Sequence, residues 1–384
     1  MAIHTIQSAF GEMVNTPATR IIGTGSALPK QAISNAQLAQ RLKIDESYIV
    51  RVSGIRTRYW ASNDEQCSTL AEVAAHRALD AAGITAHDVD VIIVSTTSPE
   101  MPFPSTACIL QSRLGASRAA AFDVAASCSG FLYALSMADR LIRAGQFRRG
   151  LVVATEIKSR YVNLDDAQTA MLFGDGAGAA VLVRNHDGTS GLLDIRIGAD
   201  GQRHDLITIP AGGSRQPMSV ETVKHRLHTI HLRGAALYRA AIKHLGTQIS
   251  ALLDDHRLSV TDIDHWIFHQ ANGRLLAALR DRLGIADSHV LSVIEQVGNI
   301  SSASLPFALD MACRQQRLQP GHLVLLGSFG GGLTWGTALL RWGSPTERPM
   351  LPTENRGRKQ EMEPIRSTSR RTRRVDERRT GALS

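Results

Sequence analysis

The chain has no run of about 18 uninterrupted apolar residues, the length a helix needs to cross a bilayer, so no membrane-spanning segment is expected. A leader of the usual kind is not expected either. The opening MAIHTIQSAFGEM carries neither a basic start nor an apolar core, so export is not expected and the cytoplasm is the expected location. Cysteine is scarce. Cys67, Cys108, Cys128 and Cys313 are the only four, and none stands in a C-x-x-C pair. That spacing excludes a disulfide frame and a zinc ribbon and leaves free thiols, with no metal expected. The pattern G-x-x-x-x-G-K-[ST] is missing too, which excludes a nucleotide-binding loop of that class. What is present is ordinary: 384 residues, 43% hydrophobic and 20% charged, enough for about two domains and a large core.

The formal net charge of +8 is unevenly placed. Residues 344–384 hold eleven Lys or Arg against six Asp or Glu, so they supply +5 and leave +3 for the other 343 residues. This stretch, from SPTERPMLPTENRGRKQ onward, is poor in apolar residues and cannot offset its ordering entropy by burial. It reads as a disordered basic tail and a passive extension; nucleic acid is not an expected partner. The expected organisation is an N-terminal extension over 1–17, halves over 18–190 and 191–343, and the tail over 344–384.

The two halves repeat one another. GITAHDVDVIIVSTTS before QSRLG matches RLSVTDIDHWIFHQAN before RDRLG, with Asp88 and Asp90 answering Asp262 and Asp264. SCSGFLYALSMADRLIRAGQFRRGLVV likewise matches NISSASLPFALDMACRQQRLQPGHLVL, and the glycines Gly150 and Gly321 used as anchors pair Cys128 with Asn299. The strands in these blocks, such as VDVIIVST and HLVLLGS, are apolar on both faces and separated by amphipathic helices. That pattern indicates an α/β protein with mixed, mainly parallel sheets covered on both sides, whose ligands gather at strand carboxyl ends.

Cys128 stands where a strand passes into an apolar helix, between Ala126, Ser127, Ser129 and Gly130. A helix N-terminus favours thiolate, and small neighbours allow close approach of a substrate, so Cys128 is the expected nucleophile. Cys67, Cys108 and Cys313 have no such setting and read as core fillers. His269 follows the strand DHWIF, and Asn299 is placed by the repeat beside the nucleophile's helix. Together they can donate two hydrogen bonds to a developing enolate. LGSFGGGLTWG follows HLVLL, read as the last strand, and Gly330, Gly331 and Gly332 there let backbone N–H groups reach a reacting oxygen. FGDGAGAAVLV reads as a turn between packed elements near the site.

Taken in order, GTGSALP, GIRTR, FPSTACILQSRLG, DVAASCSG, FGDGAGAAVL, HQAN, GNISSASLP and FGGGLTWG closely resemble the β-ketoacyl-acyl carrier protein synthase III family, from about Ile21 to Trp342. The resemblance implies a thiolase-like fold of two duplicated halves in αβαβα layers and a homodimer. It implies an acyltransferase that condenses an acyl primer such as acetyl-CoA, held on Cys128, with malonyl-acyl carrier protein, initiating fatty acid synthesis. By the same resemblance, His269 and Asn299 assist decarboxylation, and the N–H groups of Cys128 and Gly331 form the oxyanion hole. Phe329 lies beside the malonyl group, Asn272 touches the phosphopantetheine arm, and Phe103 reaches the partner's acyl pocket. Arg239 and Arg274 dock the carrier protein. No cofactor is implied beyond coenzyme A or phosphopantetheine thioesters as substrates.

Departures from the family pattern bear on the primer. Tyr48 and Val52 stand where the family has a Trp and an Arg against the nucleotide, Ala167 replaces a second Arg, and Ile300 follows Asn299 in place of Thr. Lost guanidinium groups weaken a cationic hold on a nucleotide, which opens a second reading: a specialised-metabolite condensing enzyme or acyltransferase using a non-acetyl or carrier-bound primer. A degradative thiolase would need a second cysteine near the last glycine loop, and GSFGGGLTWG has none. A non-catalytic partner subunit would be expected to lack the nucleophile.

Overall fold

Strand β1 (Thr19–Ala27) opens a five-stranded sheet with β4 (Val91–Ser95), β5 (Ala120–Val124), β6 (Arg149–Ile157) and β7 (Asp175–Arg184), in the order β1-β7-β6-β4-β5. A second sheet repeats the plan with β8 (Gly191–Ala199), β11 (His265–Phe268), β12 (Val290–Leu291), β13 (Leu323–Gly330) and β14 (Thr334–Arg341), in the order β12-β11-β13-β14-β8. Two short hairpins, β2 (Gln31–Ser34) with β3 (Thr57–Trp60) and β9 (Ile207–Thr208) with β10 (His231–Leu232), complete the strands. This architecture comes from a computed structural model that describes residues 19–185 and 188–343. The N-terminal extension and the basic tail lie outside the described residues.

Alternate residues of a strand face opposite ways, and the central strands β4, β6, β11 and β13 are apolar on both faces, so each sheet must be covered twice. Val91 and Ile93 pack inward on α3 (Gly130–Arg143) and α6 (Ser304–Arg314), which lie between the sheets with Val324 and Leu326 on their far side. Ile92 and Val94 pack outward on α1 (Cys67–Ala82) and α2 (Thr106–Leu114). Trp266, Phe268 and Leu325 pack outward on α4 (Gly234–His256) and α5 (Gly273–Leu283). The layers are therefore helix, sheet, helix, sheet, helix.

Several sequence expectations need correction. Each sheet has two parallel and two antiparallel pairings rather than a parallel majority. HLVLL is not the last strand: the glycines turn the chain back as β14, antiparallel to β13. FGDGAGAAVLV is strand β7 rather than a turn. Its glycines serve close packing, since a Cβ on Gly178 would lie 2.7 Å from Phe307 N on α6. Cys67 is buried and Cys313 half-buried, but Cys108 sits on the exposed face of α2.

The duplication is visible in the backbone, in a different register from the one its glycines suggested. Thr85 N–H donates to Asp88 and Ser259 N–H donates to Asp262. Asp90 N–H bonds to Arg149 O, and Asp264 N–H bonds to Leu323 O. Ser127 and Ser301 take φ of 51° and 52°, three residues before α3 and α6 begin. Each of these pairs is separated by the same number of residues as Asp88 and Asp262. Cys128 is thus the counterpart of Ser302, not of Asn299, which lies three residues earlier.

Candidate active site

Cys128 sits in a single 3-10 turn, Ser127–Ser129, that leads directly into α3. Ser127 holds left-handed backbone, which costs a non-glycine residue of order 1 kcal/mol and turns the chain sharply between strand and helix. The other half closes on this turn. Ser328 Oγ on β13 donates to Cys128 O at 2.7 Å, and a Cβ on Gly330 would lie 2.6 Å from Cys128 N. Glycine at the end of β13 is therefore required for the two halves to meet.

His269 follows β11 directly, its N–H bonded to Gly327 O on β13. Its Nδ1 lies 2.7 Å from Ser304 Oγ at the start of α6, and Ser304 Oγ also accepts from Gln270 N–H at 3.2 Å. Asn299 is held by its backbone between Leu172 O and Gly174 N, and its Oδ1 accepts from Ser301 N–H at 2.9 Å. That bond commits the carbonyl oxygen and leaves Nδ2 as the free donor of the amide. Arg58, fully buried, donates to Met171 O at 2.8 Å and to Asn35 Oδ1 at 2.7 Å, fixing the segment on which Asn299 rests. Burial lowers the Arg58 pKa to about 10.

Cys128, His269 and Asn299, though distant in sequence, line one cavity with Phe329, Gly330 and Gly331. Its remaining walls are mostly apolar, from Leu237, Tyr238 and Ala241 on α4 and Leu275 on α5. Burial pushes the Cys128 thiol up, but His269 opposes this by charge and by a hydrogen bond, with further help from Ser301 and Lys158. The net result lowers the thiol from its ordinary 9.0 to about 7. Cys67 and Cys313, where burial dominates, are pushed up to about 12. Of these three thiols, Cys128 alone is lowered toward neutral pH, where the thiolate is populated.

Asn272 lines the cavity while its Oδ1 caps α5 by accepting from Leu275 N–H at 2.8 Å. Arg239 and Arg274 are exposed on α4 and α5, the helices that wall the cavity, and neither holds an ion pair among the described residues. Phe103 is 83% exposed and lines no part of the cavity of its own chain. Tyr48 is also outside it, and the guanidinium of Arg51 lies 5.5 Å from its ring centroid. A cation is therefore present one residue before Val52. Sequence reasoning missed Arg58, Ser304, Ser301 and Glu156. Their only signal was proximity to motif residues or a charge inside an apolar strand.

Comparison with known proteins follows the same residues. Models described as 3-oxoacyl-[acyl-carrier-protein (ACP)] synthase III and its C-terminal part match residues 122–201 and 253–342. A β-ketoacyl-[acyl-carrier-protein] synthase III of Methylococcus capsulatus is 44% identical over 324 residues, 84% of this chain and 99% of that protein. The crystal structure of the 3-oxoacyl-(acyl carrier protein) synthase III of Pseudomonas aeruginosa is similar with a TM-score of 0.79 at 35% identity, covering 85% of this chain and 99% of the other. The priming β-ketosynthase of the R1128 polyketide biosynthetic pathway is similar with a TM-score of 0.79 at 31% identity, covering 86% and 98%.

Proposed function

The chain belongs to the 3-oxoacyl-[acyl-carrier-protein] synthase III family, and from that premise we propose that it condenses an acyl primer with malonyl-acyl carrier protein, initiating fatty acid synthesis. One observation carries the chemistry: a cysteine whose thiol is lowered to about 7 shares a mostly apolar cavity with a histidine and a free amide donor.

Cys128 thiolate attacks the primer's thioester carbonyl, and the N–H groups of Cys128 and Gly331 hold the oxyanion until the thiol carrier leaves. Malonyl-carrier protein follows, its phosphopantetheine arm passing Asn272 and its malonyl group resting beside Phe329. Loss of carbon dioxide leaves an enolate whose oxygen takes hydrogen bonds from His269 and Asn299 Nδ2. The enolate carbon bonds to the acyl carbonyl carbon, the C–S bond breaks, and Cys128 leaves as thiolate. The product is a 3-oxoacyl-carrier protein. No metal or redox cofactor takes part in this reading, because loss of carbon dioxide drives the bond formation.

Arg239 and Arg274, which hold no ion pair among the described residues, offer an acidic carrier protein cations beside the cavity wall, and a homodimer fits β5 and Phe103. Strand β5 is a sheet edge with half-buried Phe122 and Val124, open to pairing with a second copy, and Phe103 is exposed and available to such a copy. No described helix is long and apolar enough to cross a membrane, in keeping with a cytoplasmic enzyme.

Arg51 against Tyr48 favours a second reading for the primer. A guanidinium on the ring takes up a face that a purine would use, so a carrier-bound or non-acetyl primer is the alternative. Intact mass after mixing with acetyl-CoA separates them, with Cys128→Ala alongside. One acetyl group gained on Cys128 and discharged by malonyl-carrier protein supports the fatty-acid reading. Labelling only by longer or carrier-bound acyl groups moves the enzyme to specialised metabolism. No labelling by any donor would sink both.

A further inference from the structure

The sulfur of Cys128 has a neighbour that the condensation leaves unassigned. Ser301 Oγ lies 3.5 Å from Cys128 Sγ and 3.1 Å from Glu156 Oε1, within reach of donating to either. Glu156, the penultimate residue of strand β6, is fully buried and well partnered. It accepts from Ser302 Oγ at 2.9 Å, Ser98 Oγ at 2.5 Å and Thr97 N–H at 3.2 Å, and pairs with Lys158 Nζ at 3.0 Å. Lys158 is itself buried and donates to Thr97 Oγ1. Burial pushes the Glu156 carboxyl up, yet the Lys158 charge and these hydrogen bonds outweigh it and hold the group below the ordinary range. A serine hydroxyl has one hydrogen. Here it faces two anionic acceptors, a permanent one at Glu156 and an intermittent one at Cys128.

We propose that Ser301 is a further catalytic residue, whose hydroxyl hydrogen alternates between Glu156 Oε1 and Cys128 Sγ during the cycle, with Glu156 and Lys158 as positioning residues. In the free enzyme the hydrogen turns to the thiolate. Once the sulfur carries an acyl group it is uncharged and a poor acceptor, and the hydrogen returns to Glu156. When the enolate carbon bonds to the acyl carbon and the C–S bond breaks, the electron pair returns to Sγ and the hydrogen swings back. Only a hydroxyl rotor turns; no proton leaves its oxygen. Without Glu156, the buried hydroxyl would lose its acceptor in the acyl-enzyme, which is unfavourable. Lys158 balances the carboxylate so that its charge does not oppose the thiolate.

The other groups facing the sulfur are His269 beyond β11 and Ser127, whose Oγ is 3.9 Å away. Ser127 and Ser301 are repeat partners with the same left-handed backbone, so each half aims a hydroxyl at the same atom. The inference rests on Cys128 as the nucleophile.

The test is the pH dependence of Cys128 alkylation by iodoacetamide, read by intact mass, beside the single-turnover discharge of acyl-enzyme by malonyl-carrier protein. The wild-type midpoint should fall near 7. Ser301→Ala should raise it by roughly one pH unit, the size of one lost hydrogen bond to an anion, and slow discharge about ten-fold. Ser301→Gly suits the backbone at φ 52° and gives the same readout if the alanine variant does not fold. Glu156→Gln should move the midpoint the other way, because the competing acceptor loses its charge. A folded Ser301→Ala or Ser301→Gly protein with unchanged midpoint and discharge overturns the proposal. If wild-type Cys128 takes no acyl group from any donor, the nucleophile reading has failed, and the proposal falls with it.

Discussion

The two halves share a backbone and divide the chemistry. At matching positions the first half carries Ser95, Ser127, Cys128 and Gly130, and the second carries His269, Ser301, Ser302 and Ser304. The strained serine is kept in both, because both halves need the same sharp entry into a helix. The residue after it is a reactive thiol in one and a structural hydroxyl in the other, where Ser302 Oγ donates to buried Glu156. The strand-end position is a histidine in the second half and a serine in the first. His269 finds Ser304 at the start of α6, whereas Ser95 faces Gly130, where a side chain would collide with it. The two halves thus supply two equivalent corners, one holding the thiol of Cys128 and the other setting the hydroxyl of Ser301 against it.

That asymmetry can be broken at four points. Replacing Cys128 by alanine should remove covalent acylation altogether and cut condensation by more than about 10³-fold. Adding Ser302→Cys should not restore it, since the position paired with that corner holds Ser95 rather than a histidine. Intact mass after exposure to acyl donor reads both.

His269→Ala should slow decarboxylative condensation by roughly 10²–10⁴-fold. It should also raise the alkylation midpoint of Cys128 from about 7 toward 9.0. The sign follows from the cause: His269 lowers the Cys128 thiol by charge and by a hydrogen bond, so its loss confines the reactive form to higher pH and lowers the rate at neutrality. A midpoint that stayed near 7 would show that His269 does not set the thiolate.

Lys158→Met should cost about 3–5 kcal/mol of stability in urea unfolding, because it leaves a buried carboxylate without its partner. The double variant Glu156→Gln with Lys158→Met should recover most of that loss. Smallest is Ser302→Ala, which removes one of several donors to Glu156. About 1 kcal/mol of stability is expected, with a smaller shift in the Cys128 midpoint than Ser301→Ala gives.

Much of this plan was legible in the residues. Strands apolar on both faces specified two covered sheets, and four aspartates marked the repeat: Asp88 and Asp262 each close the turn before a strand, while Asp90 and Asp264 each accept from the first N–H of the neighbouring strand, Arg149 on β6 and Leu323 on β13. Cys128 was legible through the small residues around it. The register was missed because Gly150 and Gly321 served as anchors. Gly150 lies inside β6, whereas Gly321 makes a turn at φ 92° before β13 begins. The helices held the right register all along: Ala134, Leu135, Met137 and Ala138 match Ala308, Leu309, Met311 and Ala312, all packed between the sheets apart from the exposed Met137. Packing constrains such positions, while turns drift. Ser301, Ser304 and Glu156 were not legible, since a positive φ, a hydroxyl's partner and a buried ion pair are properties of the assembled site.

Gly330 has one more consequence, concerning when the enzyme becomes reactive. The turn that seats Cys128 is completed by backbone some two hundred residues further along, and the groups that ionise its thiol stand at 269 and 301. While the chain is being made, Cys128 leaves the ribosome as an ordinary thiol. It stays one until β13 has been synthesised and docked against it. A chain that ends before β13 lacks the backbone that completes this turn, and one that ends before residue 269 also lacks both His269 and Ser301, which lower the thiol.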